Sequence, residues 1–280
     1  MDIAGKLFVV TGGGNGMGRE TALLLLKRGA RVAAVDLSEE GLAGTVELAG
    51  PGAAVTTHAL NIADRAAVEA LPAAVEGAHG APADGLINVA GIIHRFAKMQ
   101  DLSLEEIERV VNVNFWGTVY ATKAFLPVLL TRPTASITNF ASMGALIPFP
   151  GQGAYGASKG AVKLFTETLL AELRDTRVQV SIVYPGAVLT NIAGNSGVSA
   201  PGTEAADPKA QAAKQEAAKS SAQGTTPERA AEIIVDGIQK GVFRIFIGKD
   251  ARTFDRLSRL SPTKSIVAIA RKVGPMLGIN

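Results

Sequence analysis

Short runs of consecutive apolar residues alternate along this chain with stretches whose apolar positions recur at helical spacing. The first run, Leu7-Phe8-Val9-Val10, ends on a glycine cluster. An uninterrupted run of that length fits a strand buried on both faces of a parallel sheet. Residues Gly16 to Arg28 carry Leu23, Leu24, Leu25 and Leu26 and predict a helix stopped by Gly29. A second buried strand follows at Val32-Ala33-Ala34-Val35 and ends on Asp36. The same pattern places strands near Ala53–Thr57, Leu86–Val89, Ser136–Phe140, Gln179–Tyr184 and Phe243–Ile247, with helical stretches between them. This alternation predicts an α/β fold, a single-domain Rossmann fold with a doubly wound parallel sheet of about seven strands. Ligands of such sheets bind outside the carboxyl ends of the strands, so the residues just after each strand are where chemistry is expected.

Two segments leave the pattern. Asn191 to Thr225 is rich in Ala, Lys, Gln and Ser and poor in large apolar residues, which predicts a loosely held lid over a substrate. The tail, 261–280, sets Ile266, Ile269, Val273 and Met276 at helical spacing, opposite Lys264, Arg271 and Lys272. A basic amphipathic helix can lie on a membrane surface, but packing on its own or a neighbouring subunit is the commoner use and the preferred reading.

Composition narrows the choices. The 280 residues contain no internal repeat and no Pro/Ser-rich linker, so one domain over 1–280 is expected. Cysteine is absent, which excludes disulfides, thiol nucleophiles and cysteine-ligated zinc, and no metal is expected. No apolar run approaches the roughly 18 residues that span a bilayer. Met1 to Lys6 runs directly into the first strand without a secretory pattern, and a cytoplasmic protein is the expectation. The net charge of +3 is small and its basic residues are dispersed, which argues against nucleic acid as a partner.

Chemistry concentrates at a few strand ends. The cluster Thr11-Gly12-Gly13-Gly14-Asn15-Gly16-Met17-Gly18 spaces Gly12, Gly16 and Gly18 as G-x-x-x-G-x-G between a strand and a helix. Glycines allow the tight turn, and their missing Cβ atoms admit a pyrophosphate to the helix N-terminus, where free N–H groups favour an anion. Asp36 closes the second strand, about 20 residues on, where a carboxylate accepts hydrogen bonds from ribose hydroxyls. Its charge repels a 2′-phosphate and favours NAD over NADP; Arg19, at the helix start, argues the other way. Tyr155 and Lys159 stand four residues apart and share one helix face. The tyrosine pKa of about 10 is too high for proton transfer near neutrality. A neighbouring ammonium and a positive nicotinamide are expected to lower it. Ser142, just after the fifth strand, can reach the same cleft, and Asn114 reads as a mid-helix polar residue.

Together these residues resemble the short-chain dehydrogenase/reductase family over nearly the whole chain. Thr11–Gly18 resembles the family's Thr-Gly-x-x-x-Gly-x-Gly element, and Asn88-Val89-Ala90-Gly91 its Asn-Asn-Ala-Gly sequence, with Val89 in place of the second Asn. Asn114, Ser142, Tyr155 and Lys159 fall where its catalytic tetrad falls, and Pro185-Gly186 with Thr190 resembles its nicotinamide-side motif. The resemblance implies strand order 3-2-1-4-5-6-7, a homodimer or homotetramer built on helix pairs, and cofactor contacts extending to Asn15, Met17, Ile62 and Val188. Asn61 stands where many relatives have Asp near the adenine. The segment Phe243–Asp250 lacks the Asp-Gly-Gly ending of many tetrameric members and runs on into the tail.

The implied mechanism makes Tyr155 the general acid/base and has Lys159 lower its pKa and hold the nicotinamide ribose. Ser142 steadies the substrate oxygen, and Asn114 holds a water that relays protons to Lys159. The expected function is hydride transfer between NAD(H) and a secondary alcohol or ketone. Its substrate is expected to be apolar, from Met143, Leu146, Ile147, Pro148, Phe149, Phe96, Val188 and Leu189, with subunit-interface or core packing as the alternative use of these residues; His94 and Arg95 are candidate polar contacts, for which ordinary surface-loop residues are the preferred reading. An NADP-dependent carbonyl reductase and a noncatalytic NAD-binding protein are the rival readings.

Overall fold

The computed structural model describes residues 1–198 and 224–273. The seven strands are β1 (Leu7–Thr11), β2 (Arg31–Asp36), β3 (Val55–Ala59), β4 (Gly85–Asn88), β5 (Ala135–Phe140), β6 (Val178–Pro185) and β7 (Arg244–Ile247). They form one sheet in the order β3-β2-β1-β4-β5-β6-β7, and every pairing is parallel. The expected strand order is thus observed.

Alternation along each strand feeds two cores. Leu7 and Val9 of β1 point into one layer, with Leu86, Ile137 and Val180 from neighbouring strands. Phe8 and Val10 point into the other, with Val32, Ile87 and Val183. Helices α3 (Arg65–His79), α5 (Gly117–Leu130) and α6 (Gly153–Leu173) cover the first layer through Leu71, Phe125 and Leu169. Helices α1 (Gly16–Lys27) and α8 (Pro227–Gln239) cover the second through Leu25, Ile234 and Ile238. Burial on both faces explains why the strands read as unbroken apolar runs. Outermost β3 is only half-buried, which is why its signal is weakest: it lies at Val55–Ala59 instead of the expected 53–57.

The remaining helices among the described residues are α2 (Glu39–Ala49), α4 (Leu104–Val111), the short α7 (Ile192–Asn195), α9 (Lys249–Leu260) and α10 (Pro262–Val273). Of the expected lid, α7 and the return at Thr225 are described, and 199–223 lie outside the described residues. In the tail, Ile269 is buried while Ile266 and Val267 are exposed, and Met276 lies outside the described residues. Among the described residues no helix is long and apolar enough to cross a membrane.

Candidate active site

The loop from β1 to α1 works by what it lacks. At Gly12, with φ +72°, an added Cβ would lie 2.9 Å from the backbone nitrogen of Ala90, and at Gly18 it would collide with the Gly12 carbonyl. These two glycines therefore let the loop fold against the end of β4 and against the first turn of α1. Helix α1 itself begins bare: Asn15 at its N-cap makes no side-chain cap bond, and no acidic residue occupies the first turn. Helix α2, by contrast, is capped by Ser38 and carries Glu39 and Glu40. An uncapped, acid-free N-terminus beside glycines suits a phosphate.

A cleft of about 430 Å³ runs over this loop. Gly12, Asn15, Gly16, Met17 and Gly18 line one side, and Asn61, Ile62, Ala90, Gly91 and Thr190 contribute elsewhere. Among the described residues, Asp36 is the only charged side chain on its walls. Its Oδ2 accepts the Gly14 N–H at 2.9 Å and its Oδ1 the Ser38 N–H at 3.1 Å, which fixes the carboxylate at the rim. Arg19 turns away from the cleft: it donates to the carbonyls of Gly14 and Gly41 and, at 3.1 Å, to Thr45 Oγ1. The cradle therefore fits a dinucleotide, with pyrophosphate at α1 and a ribose at Asp36.

Not every residue the sequence suggests reaches the cleft wall. Asn88 is buried in the sheet, donating to Asn139 Oδ1 at 2.9 Å and to Thr122 Oγ1 at 3.3 Å, so its side chain ties β4 to β5 and α5. Pro185, the last residue of β6, and Gly186 and Val188 in the loop that follows are not part of the lining. Conversely, Leu37, Leu60, Val113 and Ile192 also line the cleft, and of these Leu37 alone stands out in the sequence. Leu37 was detectable, since it follows Asp36 at a strand end; it is 72% exposed.

The polar cluster lies where β5 and α6 meet the end of β4. Ser142 follows β5 in extended conformation, and its Oγ accepts the Gly144 N–H at 3.1 Å. That leaves the hydroxyl hydrogen to donate toward Tyr155, whose pKa the Ser142 hydroxyl acts to lower. Lys159 is buried, and Nζ donates to the Phe140 carbonyl at 3.0 Å. Burial pulls its pKa down to about 8, so the ammonium persists at neutral pH and is lost as the pH rises further. Burial raises the Tyr155 pKa, opposed by the Ser142 hydrogen bond. The expected lowering is therefore not achieved by the protein alone, because desolvation of the phenolate outweighs its neighbours.

Asn114 sits in a π-helical turn, Asn112–Trp116, between α4 and α5, rather than in a regular helix. Its Oδ1 accepts the Ile92 N–H at 2.8 Å, and its Nδ2 donates to the Ile92 carbonyl and to Ser158 Oγ, both at 3.0 Å. The side chain thus clamps the strand-end loop to α6. Ser158, not foreseen, completes this link by donating to the Tyr155 carbonyl at 2.7 Å. Gly91 joins the two halves: a Cβ there would lie 3.1 Å from both Asn114 Oδ1 and Lys159 Nζ. The cleft wall and the buried amine thus meet at a residue without a side chain.

On the substrate side, Ile147 is fully buried and is a core residue rather than a pocket wall, while half-buried Leu146 packs against the cluster that holds Ile182 and Tyr184. Arg95 is held by Glu106 at 2.9 Å and is not free for a substrate group. His94 is buried.

The sequence profile of the short chain dehydrogenase family matches residues 6–199. Over 259 residues, covering 91% of both chains, the protein is 39% identical to one named as the oxidoreductase SadH of Mycobacterium tuberculosis. It is 37% identical to 1-deoxy-11-beta-hydroxypentalenate dehydrogenase of Streptomyces avermitilis, covering 71% of this chain and 77% of that one. Among solved structures, a short chain dehydrogenase/reductase from Burkholderia phymatum in complex with NAD superposes with TM-score 0.82 at 28% identity, covering 95% and 96% of the two chains.

Proposed function

Since the chain belongs to the short-chain dehydrogenase/reductase family and is a nicotinamide-dinucleotide-dependent oxidoreductase, we propose that it interconverts a secondary alcohol and its ketone with NAD(H). The observation that carries this reading is Gly91, where the dinucleotide-shaped cleft touches Lys159 Nζ and Asn114 Oδ1. When bound, the nicotinamide supplies hydride acceptance or donation.

The chain's own residues supply orientation and the proton. Tyr155 takes the hydroxyl proton of the alcohol during oxidation and returns it during reduction. Ser142, whose Oγ is already satisfied as an acceptor by Gly144, donates its hydrogen to the substrate oxygen as charge builds there. Lys159 holds the nicotinamide ribose, and its ammonium favours the Tyr155 phenolate. Asn114 keeps the Ile92 backbone in place and orients a relay water beside Lys159. Gly12, Gly16 and Gly18 hold the pyrophosphate, and Asp36 the adenosine ribose. Among the described residues no cationic side chain stands on the cleft wall, so a 2′-phosphate there meets the Asp36 carboxylate, which favours NAD. Met143, Phe149 and Phe96 offer an apolar substrate side, in keeping with a relative named for a hydroxypentalenate.

The test is a panel of secondary alcohols and ketones, including alicyclic ones, screened with NAD(H) and NADP(H) by nicotinamide absorbance. Turnover with NAD supports the reading. Turnover confined to NADP selects a carbonyl reductase, and no turnover anywhere selects a noncatalytic dinucleotide-binding protein.

A further inference from the structure

The part of the chain that the family resemblance covers least, the continuation past β7, reaches back to the active site. Helix α9 follows Gly248, and its second residue, Asp250, extends to the loop leaving β6. There Asp250 Oδ2 accepts the Ala187 N–H at 2.7 Å. Two glycines open the slot: a Cβ at Gly186 or at Gly248 would collide with the Asp250 carboxylate. Gly248, at φ +90°, also makes the turn that aims α9 at the loop.

The loop is held from two further directions. Gly186 donates its N–H to the Ile247 carbonyl at 2.9 Å, and Thr225 bonds Ala187 and Leu189 at 2.9 and 3.0 Å. One turn along α9, Phe254 meets Phe149 edge-on, with ring centroids 5.7 Å apart. Phe149 belongs to the segment between Ser142 and Tyr155. Helix α9 therefore contacts both loops flanking the catalytic cluster. Thr190, three residues beyond Ala187, lines the cleft opposite Gly16, with its Cγ2 3.5 Å from where a Gly16 Cβ would stand.

We infer that Asp250 is a positioning residue for the nicotinamide half of the cofactor. It orients the Gly186–Thr190 turn through the Ala187 N–H without touching the cleft itself. This rests on the reading that the cleft takes NAD(H). Loss of Asp250 should then cost the nicotinamide end its seat and leave the adenosine end, at Asp36 and the glycine loop, untouched.

Calorimetric titration with NADH and with ADP-ribose, which keeps the adenosine and pyrophosphate but lacks nicotinamide, separates the two ends. Asp250→Ala is expected to raise the NADH Kd about tenfold, as for loss of a hydrogen bond to a charged acceptor, with ADP-ribose changed less than about twofold. Asp250→Asn retains an oxygen that accepts the Ala187 N–H and is expected to restore most of the NADH affinity. An unchanged NADH Kd, an equal loss for both ligands, or an Asn variant no better than Ala overturns the assignment. Wild-type protein that binds neither ligand overturns the cofactor reading as well, whereas normal wild-type binding with an unmoved ratio overturns Asp250 alone.

Discussion

The dinucleotide cleft and the polar cluster that adjoins it at Gly91 are built by opposite means. Around the β1–α1 loop the chain withdraws its side chains, so that Gly12 lies against Ala90 and Gly18 against Gly12 with no room for a Cβ. Around β5 and α6 it buries polar side chains instead, with Lys159 and Asn114 almost fully enclosed. A pyrophosphate can be held by backbone N–H groups, which costs the fold only the constraint of glycine. A proton can be moved only by a side chain, and burying that side chain costs desolvation, visible in the depressed Lys159 and raised Tyr155 pKa values. The cleft should therefore fail when volume is added, and the cluster when a polar atom is removed.

The sharpest way to break this division is Tyr155→Phe, which keeps the ring and removes the proton. The rate should fall by roughly 10²–10⁴-fold, the usual share of general acid–base catalysis, with the NADH Kd nearly unchanged. Near-normal turnover would dissolve the contrast. Gly12→Ala should do the reverse. A left-handed Ala costs about 1–2 kcal/mol, and the contact with Ala90 adds displacement of the loop, so the NADH Kd should rise about tenfold or more. With saturating cofactor, kcat should hold.

The smallest effect concerns a site remote from both regions. Thr56 Oγ1 bridges His58 Nε2 at 3.0 Å and His79 Nε2 at 2.9 Å between β3 and the end of α3. Burial lowers both imidazole pKa values below 6.5. The unfolded chain then binds more protons than the folded one just below 6.5, so stability is full above that pH and declines as the pH falls toward the folded values. Melting temperature should drop over that window, and His58→Gln should flatten the drop while leaving turnover unaffected.

The glycine loop and the buried strands were legible because they are local: periodicity and spacing within a dozen residues specify them. Asp36 was legible because a strand end has one direction to point. What the sequence concealed depends on distant partners. Asn88, read as a cofactor contact, turns inward because Asn139 and Thr122 offer it hydrogen bonds across the sheet. The π-turn at Asn114 cannot be seen in a helical periodicity, since it inserts a residue to bring the amide onto Ile92, 22 positions earlier. Asp250 meets Ala187 across 63 positions, and nothing near either residue announces the other. Ile147 has the composition of a pocket wall and the burial of a core residue, a distinction only packing makes.

If Asp36 holds the adenosine ribose as proposed, kcat/KM for NAD and NADP in wild type and Asp36→Ala reports it without intermediate steps. Each charge-assisted hydrogen bond to a ribose hydroxyl is worth about 1.5–3 kcal/mol, and charge repulsion adds to the discrimination. Wild type should favour NAD by tens-fold or more on that scale, and Asp36→Ala should narrow the ratio both by weakening NAD and by relieving NADP. A wild type that prefers NADP, or a ratio that Asp36→Ala leaves in place, would show that Asp36 does not set the choice of cofactor.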